Sequence, residues 1–232
     1  MNKRFFITGT DTDIGKTVAA CALLQAVKRA GGKAVGYKPV AAGCRETTDG
    51  PRNDDALALL SNASVVLTYR QVNPVALLAP TSPHIASRDE SRVIDPLLLS
   101  EGLRELEGLA PWVIVEGAGG WFTPLNDDVS YDQWVVAERL PVILVVGIKL
   151  GCINHALLTA LAIRQAGLPL VGWIANDLSC EPHRRTEYLA TLRQQLRAPL
   201  LGEIPWLTDP ACADLAAYID FRTLSDWLVK EQ

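Results

Sequence analysis

Short, uninterrupted apolar runs alternate with helical patterns along most of this chain. Residues 4–8, 141–148 and 168–177 are apolar along most of their length instead of alternating with polar residues. A strand without that alternation is covered on both faces, which is typical of a parallel sheet with helices on both sides. The sequence therefore predicts an α/β fold built on a mostly parallel sheet.

The apolar and helical patterns also predict the order of the elements. Strands are predicted at 4–8, 33–40, 141–148 and 168–177; residues 112–121 predict a strand that enters a glycine loop, and 198–207 a last strand and loop. Helices are predicted at 16–30, 55–61, 95–110, 130–140, 154–167, 181–196 and 213–229. Residues 70–94 are rich in proline and predict a loop with short pieces of structure. No shift in composition marks a boundary, so residues 1–232 are expected to form a single domain.

Composition argues against several classes of protein. The 232 residues carry a net charge of −4 with no block of like charges, which disfavours a nucleic-acid partner. The sequence contains no 18-residue apolar run, so it predicts no membrane span, and the N-terminal stretch is too short for a signal peptide. The five cysteines are odd in number and lack a C-x-x-C pair, so we expect a cytoplasmic protein without a disulfide framework. The three histidines have no metal-ligand spacing, and G-x-S-x-G is absent.

The stretch "FFITGTDTDIGKT" predicts a phosphate-binding loop (P-loop). Gly15, Lys16 and Thr17 follow a strand and open a helix, which is the context that the motif needs. Helix N-terminal amides hold phosphate oxygens, the lysine adds charge, and the threonine hydroxyl is placed to bind Mg²⁺. Five residues separate Gly9 from Gly15, one more than the usual pattern, so Thr10 takes the first-glycine position in a four-residue count.

Three charged residues near strand ends are candidates for the chemistry of a bound nucleotide. Glu116 directly follows a buried run, and Asp55 begins a helix; both are candidate Mg²⁺ ligands. Asp54, Asp127 and Asp128 are further available carboxylates. Lys38 ends the second strand, where its charge suits a transferring phosphoryl group. The alternatives are a first-turn acid that offsets the helix dipole for Asp55 and a surface lysine for Lys38.

Two further strand ends carry candidates for a base site. Asn176 and Asp177 end the strand at 168–177, where an amide beside a carboxylate suits a purine edge. Trp206 follows Pro205 and is a candidate wall for a base, although a capping aromatic is an equal alternative. All of these positions lie at carboxyl ends of predicted strands, where open α/β sheets bind ligands.

Many ordered segments together resemble the dethiobiotin synthetase family, from about residue 3 to about residue 207. They are "GTDTDIGKT", "GYKPVAAG", "RNDDALAL", "VNPVALLAPTSPH", "VEGAGGWFTPL", "LPVILVVGIKLGCINHALLT", "GWIAND" and "GEIPWL". The resemblance implies an ATP- and Mg²⁺-dependent ligase that closes a ring on 7,8-diaminopelargonate with CO₂ or bicarbonate. It also implies a homodimer with the substrate site at the subunit interface.

The resemblance assigns roles to individual positions. Lys38 matches the active-site lysine, with Lys16 as a second catalytic cation, and Thr17, Asp55 and Glu116 match Mg²⁺ ligands. The positions implied to bind ATP are Asp13, Ile14, Gly15, Lys16, Thr17, Val18, Glu116, Gly117, Ala118, Gly119, Asn176, Asp177, Pro205, Trp206 and Leu207. The positions implied to bind the substrate are Thr12, Ala42, Gly151, Cys152, Asn154 and Tyr188.

Ala42 departs from the family, which commonly has a hydroxyl residue there as a substrate contact. A backbone amide or a water can take that role, so the departure bears on affinity for the diamine and not on the reaction class. The resemblance also suggests why two acids, Asp11 and Asp13, lie in the phosphate-binding loop: the implied substrate is a cationic diamine. We expect Asp13 to face the cationic substrate, and Asp11 to face solvent or cap the turn.

Three other functions remain as alternatives. Amide-forming ATPases with the same core carry an added glutaminase domain, for which this chain is too short. Partition-type switch ATPases have a second lysine early in the phosphate loop, and residues 9–14 have none. A catalytically impaired ATP-binding paralogue is the third.

Overall fold

The computed structural model describes residues 3–181 and 183–230. Its strands are β1 (Lys3–Gly9), β2 (Ala34–Tyr37), β3 (Val40–Ala41), β4 (Val75–Ala76), β5 (Trp112–Glu116), β6 (Val142–Ile148), β7 (Leu170–Asp177) and β8 (Leu200–Ile204). Its α-helices are α1 (Lys16–Arg29), α2 (Asp54–Asn62), α3 (Tyr69–Val72), α4 (Pro83–Asp89), α5 (Pro96–Leu109), α6 (Tyr131–Ala137), α7 (Cys152–Gln165), α8 (Arg185–Gln195) and α9 (Phe221–Lys230). Two 3₁₀ turns, Pro210–Cys212 and Leu215–Tyr218, precede α9.

Six strands form one parallel sheet in the order β2-β5-β1-β6-β7-β8. β1 lies in the interior of the sheet. On one side of it lie β5 and then β2, and on the other side lie β6, β7 and β8. The strand order reverses at β1, and open α/β sheets bind ligands beyond the carboxyl end of such a strand. The loop after β1 is therefore in the place where the fold favours a ligand.

Both faces of the sheet are buried, as the apolar runs predict. Successive residues of β1 point to opposite faces: Phe5 and Ile7 join a cluster with α1, whereas Phe6 packs with side chains of α5 and α6. All seven residues of β6 are buried. The prediction of a parallel sheet with helices on both faces is confirmed.

The predicted strand at 33–40 is divided in two. β2 pairs with β5 in the main sheet, whereas β3 pairs with β4 in a separate two-stranded sheet. The backbone N–H of Lys38 donates to the carbonyl of Val72, 2.8 Å away, and Pro39 has no N–H to continue a ladder. This break turns the chain at Lys38, on the rim of the sheet.

Residues 70–94 form a loop with short elements, as predicted, whereas the last helix differs from the sequence prediction. Residues 70–94 contain α4, which carries Pro83 in its first turn, as well as β4 and most of α3. The last helix begins at Phe221 instead of residue 213, because Ile219 bridges Gly202 and the Asp220 N–H donates to the Leu201 carbonyl at 2.7 Å. Within the described residues, no helix has the length and apolarity to cross a bilayer.

Candidate functional site

The P-loop lies between the end of β1 and the start of α1. Gly15 is the N-cap residue of α1 and adopts a left-handed conformation with φ of 88°. No described side chain caps this helix, so its first-turn amides are available to an anion. The Asn176 side-chain amide donates to the Ile14 carbonyl at 3.0 Å and holds the loop against the end of β7.

Lys16 is buried at the start of α1, as its predicted role requires. Its ammonium donates to the Asp11 carbonyl at 2.8 Å, so the side chain folds back over the loop. Burial, together with the nearby charge of Lys38, lowers the pKa of Lys16 to about 8. A lysine in this state gains a full charge readily when a phosphate approaches.

The two loop acids have different surroundings. The Asp11 carboxylate accepts from the Thr12 N–H at 2.8 Å and pairs with Lys149 at 2.7 Å. This hydrogen bond to Lys149 is the main reason why the pKa of Asp11 is lowered. Asp13 instead lines the cavity beside the P-loop and has a left-handed backbone with φ of 55°. Asp11 is thus held at the turn, and the expectation that Asp13 faces the substrate stays a prediction.

Lys38, Asp55 and Glu116 form one ion-paired cluster next to Thr17. The Lys38 Nζ lies 2.6 Å from Glu116 Oε1 and 2.9 Å from Asp55 Oδ2. Thr17 Oγ1 also donates to Glu116 Oε1, at 2.8 Å. Glu116 is 0% exposed and Lys38 4% exposed, so this pair is withdrawn from water. The asparagine Asn73 donates to the Lys38 carbonyl at 2.6 Å and fixes the turn from which the lysine extends.

Burial and charge act against each other in this cluster. Burial alone would lower the pKa of Lys38, but the carboxylates of Glu116 and Asp55 outweigh it and raise that pKa. Burial raises the pKa of Glu116, and Lys38 opposes the shift. Asp55 is less enclosed, so Lys38 and Thr17 prevail over its burial and lower its pKa. The lysine is therefore the cation that makes a buried carboxylate tolerable here.

The predicted metal ligands fit a magnesium ion. Thr17, Asp55 and Glu116 converge around one point, and Glu116 Oε2 is buried with no hydrogen-bond partner among the described residues. No group of three or more His, Cys, Asp or Glu side chains suited to a metal occurs within 3–181 and 183–230. Mg²⁺ commonly takes only one or two carboxylates and completes its shell with waters and substrate phosphates. Asp54 and Asp127 pair instead with Arg45 and Arg88 at the exposed surface.

A cavity of about 830 Å³ opens beside this cluster. The cavity is lined by the predicted catalytic and metal-binding residues Lys16, Thr17, Lys38, Asp55 and Glu116 and by the substrate candidates Thr12 and Ala42. The remaining predicted members are Asp13, Gly15, Val18, Ala118 and Gly119. The P-loop and the lysine cluster thus share one space, large enough for a drug-sized ligand.

Sequence reasoning missed part of the cavity wall. Pro80, Thr81, Ser82 and Pro83 line it from the segment that joins β4 to α4. The other missed members are Asn53, Gly120 and Thr123. The prolines predict a loop with short pieces of structure at 70–94 and assign it no site, yet two adjacent hydroxyls between prolines are a signal for a polar binding wall. Those hydroxyls share the cavity with Ala42, which has none.

The predicted base-site residues lie at the neighbouring strand ends, outside the cavity wall. Asn176 is tied to the P-loop as described, and Asp177 accepts from Arg185 Nε through both oxygens, at 2.9 and 2.8 Å. Pro205, Trp206 and Leu207 follow β8, and the Trp206 side chain is 49% exposed. Ile14 is 1% exposed and packs in the core, and Gly117 abuts Phe6. A role for these residues in binding ATP stays a prediction.

The remaining substrate candidates form a second group. Gly151, Cys152 and Asn154 lie at the N-terminus of α7, and Cys152 packs in the same apolar cluster as Tyr188 of α8. None of these four lines the cavity described above. The structure therefore brings them to each other but not to Lys38 of the same chain.

Comparison with known proteins adds to this geometry. A family model described as an AAA domain matches residues 3–211. The ATP-dependent dethiobiotin synthetase BioD 1 of Salmonella typhi is 61% identical over 97% of this chain and 99% of its own length. The enzyme of the same name from Escherichia coli K12 is 58% identical over 97% of this chain and 100% of its own.

Solved structures show the same fold at low sequence identity. The septum site-determining protein MinD with Mg-ADP from Pyrococcus horikoshii has a TM-score of 0.60 at 18% identity, covering 100% of this chain and 97% of that one. A ParA family ATPase from Chlorobium tepidum has a TM-score of 0.58 at 14% identity, covering 99% of each chain. These likenesses support the P-loop fold alone. The identities over nearly full length go further, and the chain belongs to the ATP-dependent dethiobiotin synthetase family.

Proposed function

We propose that the protein is an ATP-dependent dethiobiotin synthetase. It converts 7,8-diaminopelargonate, CO₂ and ATP to dethiobiotin, ADP and phosphate. The observation that carries this function is the placement of Lys38 between Asp55 and Glu116, on the wall of a cavity that the P-loop also lines. A cationic side chain there can meet both a nucleotide phosphate and a second substrate.

The reaction has three bond-forming steps. One amine of the diamine attacks CO₂ and loses a proton to give a carbamate. A carbamate oxygen then attacks the γ-phosphate and ADP leaves. The second amine finally attacks the carbonyl carbon and loses a proton, phosphate leaves as the C–O bond breaks, and the ureido ring closes. Phosphoryl transfer of this kind depends on positioning and charge neutralisation more than on covalent help from the protein.

The residues of the chain divide this work. The first-turn amides of α1 and the Lys16 ammonium hold phosphate oxygens. Lys38 offsets the negative charge that develops between carbamate and γ-phosphate. Asp13 lies on the cavity wall where a carboxylate can attract an ammonium group of the diamine. The hydroxyls of Thr12, Thr81 and Ser82 give that wall polar contacts that Ala42 does not supply.

Magnesium is the implied metal, and Thr17, Asp55 and Glu116 are the residues that would hold it. When bound, the ion supplies charge neutralisation at the β- and γ-phosphates. Glu116 and Thr17 lie on elements that are fixed by the core, since β5 is buried along its whole length and α1 packs against the sheet. The ligand atoms are therefore preorganised by the fold.

Replacing Lys38 tests its role directly. We expect Lys38→Ala to lower kcat by ~10²-fold or more, the scale of losing one donor to a developing negative charge. Lys33→Ala is the matched control, because Lys33 precedes β2 at the opposite end of the same strand and is exposed. Near-normal turnover by purified, folded Lys38→Ala would contradict the role.

We further propose that the protein works as a homodimer in the cytoplasm. The exposed face of α7 carries Leu158 and Leu161, at 58% and 51% exposure, and Leu150 just before the helix is 86% exposed. Large apolar side chains exposed on and beside one helix are what a subunit interface would cover. These leucines adjoin Gly151, Cys152 and Asn154. A partner subunit that packs on them would place these three residues beside the partner's cavity. All five cysteines lie in the described residues and none is bonded to another.

Light scattering tests the dimer. We expect the mass of two chains for the unaltered protein, and dissociation when Leu158 and Leu161 are both replaced by Glu. Exposed Leu109, at the end of α5, is a control site for the same substitution. A monomer that is fully active would rule out a shared site.

A further inference from the structure

Lys38 binds both carboxylates, Asp55 and Glu116, through one oxygen of each. The ammonium lies within 3 Å of both groups, at 2.9 Å from Asp55 Oδ2 and 2.6 Å from Glu116 Oε1. It also lies 3.4 Å from the Gly117 carbonyl. Three oxygen atoms thus surround the charge of Lys38, in the manner of a small cation site.

A divalent ion that binds the same carboxylates meets this charge at close range. Glu116 Oε2 has no hydrogen-bond partner in the described part of the chain, so one oxygen is free for a ligand. An ion on that oxygen would still share one carboxylate with the ammonium. Two cations so close together repel strongly where burial has lowered the effective dielectric constant, and Glu116 is 0% exposed.

We propose that Lys38 and a divalent cation compete for the Asp55–Glu116 pair, so that the metal enters only when the lysine moves away. This inference rests on the metal site of the proposed function. Without a divalent ion, Lys38 neutralises a fully buried carboxylate. With the ion in place, the same lysine is released toward the cavity that its side chain borders. One side chain thereby serves as counter-ion to the metal site and as cation to the reacting groups.

The competition makes metal binding depend on the nucleotide. Phosphate oxygens complete the shell of Mg²⁺ and also attract the released lysine, so both costs fall when ion and nucleotide arrive together. The ion alone must displace Lys38 without that help. We therefore expect weak binding of a divalent ion by itself and much tighter binding with ADP.

Mn²⁺ titration followed by electron paramagnetic resonance tests the competition without nucleotide, diamine or turnover. We expect Lys38→Met to bind Mn²⁺ about 10-fold tighter or more than the unaltered protein, because the competing charge is gone. Lys16→Met is the matched control: it removes the same charge from the same cavity, but Lys16 bonds to the Asp11 carbonyl instead of the carboxylates. Adding Asp55→Asn to Lys38→Met should abolish the gain.

Two outcomes would overturn the inference. One is equal Mn²⁺ affinity for Lys38→Met and the unaltered protein, and the other is equal tightening by Lys16→Met. Should Lys38→Met fold poorly, the ammonium resonance of Lys38 in the unaltered protein gives a second measurement. We expect Mg²⁺ with ADP to shift that resonance and ADP with chelator to leave it in place; no shift with the ion contradicts the competition. Since neither measurement involves the reaction, failure of the proposed synthetase activity would be seen separately.

Discussion

At the scale of single residues, the two acids of the P-loop serve different neighbours. The Asp11 carboxylate accepts from the Thr12 N–H and pairs with Lys149, and its carbonyl accepts from Lys16. Asp13 lines the cavity. The resemblance to the synthetase family predicts this division from the chemistry of a cationic substrate, but it does not predict that Lys149, which follows β6, is the partner of Asp11.

Neutralising each acid separately should show the division. We expect Asp13→Asn to raise KM for the diamine more than KM for ATP, because it removes an attraction for an ammonium group. Asp11→Asn keeps its hydrogen bond to Thr12 and loses only a half-exposed ion pair, which is worth about 1 kcal/mol or less. Steady-state kinetics of both variants checks this, and an unchanged diamine KM in Asp13→Asn would make that residue only a turn former.

Lys16 gives a prediction for pH. Its pKa of about 8 in the protein lies below the ordinary 10.5, so the side chain loses its charge as pH rises through about 8. Bound phosphate favours the charged form, so nucleotide binding above pH 8 must take up a proton. We expect the affinity for a non-hydrolysable ATP analogue to be constant below pH 7 and to fall between pH 8 and 10 in calorimetric titrations. Lys16→Met should bind more weakly and without this slope; a slope retained by the variant would assign it to another group.

At the scale of elements, the apolar runs predict the main sheet, whereas short segments depend on contacts far along the chain. Pro96 at the start of α5 and the Asn53 cap of α2 are local signals, and both elements were predicted. The division of 33–40 depends on the Val72 carbonyl, and the start of α9 depends on the pairing of Ile219 with Gly202. Local patterns carry no information on such partners.

The junction of P-loop and α1 depends on Gly15. A Cβ there would lie 2.2 Å from the Asn176 side-chain nitrogen, on a backbone with φ of 88°. We expect Gly15→Ala to displace the loop and to weaken ATP binding by ~10-fold or more, on the scale of 1–3 kcal/mol for strain at such a position. Binding measured by calorimetry checks this.

Gly108, near the end of α5, is the matched control. A Cβ there would meet no atom within 4 Å, and the backbone is not left-handed. Gly108→Ala should therefore raise the free energy of unfolding by about 0.5–1 kcal/mol and leave ATP binding unchanged. Equal ATP affinity in Gly15→Ala and the unaltered protein would contradict the account of the junction.

At the scale of the whole molecule, the fold by itself does not identify the function. MinD and ParA family ATPases share the architecture at 18% and 14% identity, so the sheet and P-loop by themselves do not separate a switch ATPase from a ligase. The distinction lies in the residues at the strand ends, which sequence reasoning placed at one edge of the sheet. Lys16, Thr17, Lys38, Asp55 and Glu116 do meet in one cavity there.

The sequence left the other part of the site open for physical reasons. The wall formed by Pro80, Thr81, Ser82 and Pro83 is set by the β3–β4 pairing, which no local pattern predicts. Gly151, Cys152, Asn154 and Tyr188 do not line the cavity, and a role for them at a substrate depends on the proposed second subunit. That residues 1–232 act as one domain within such a dimer stays a prediction.

In the proposed synthetase, ATP is hydrolysed only when a ring is closed on the diamine. The most direct test supplies purified protein with ATP, Mg²⁺, labelled bicarbonate and 7,8-diaminopelargonate, and measures released phosphate together with label in the product. We predict one phosphate for each label incorporated, and no phosphate above background when the diamine is left out. Phosphate released at the same rate without the diamine would identify a switch-type ATPase, and would contradict the account.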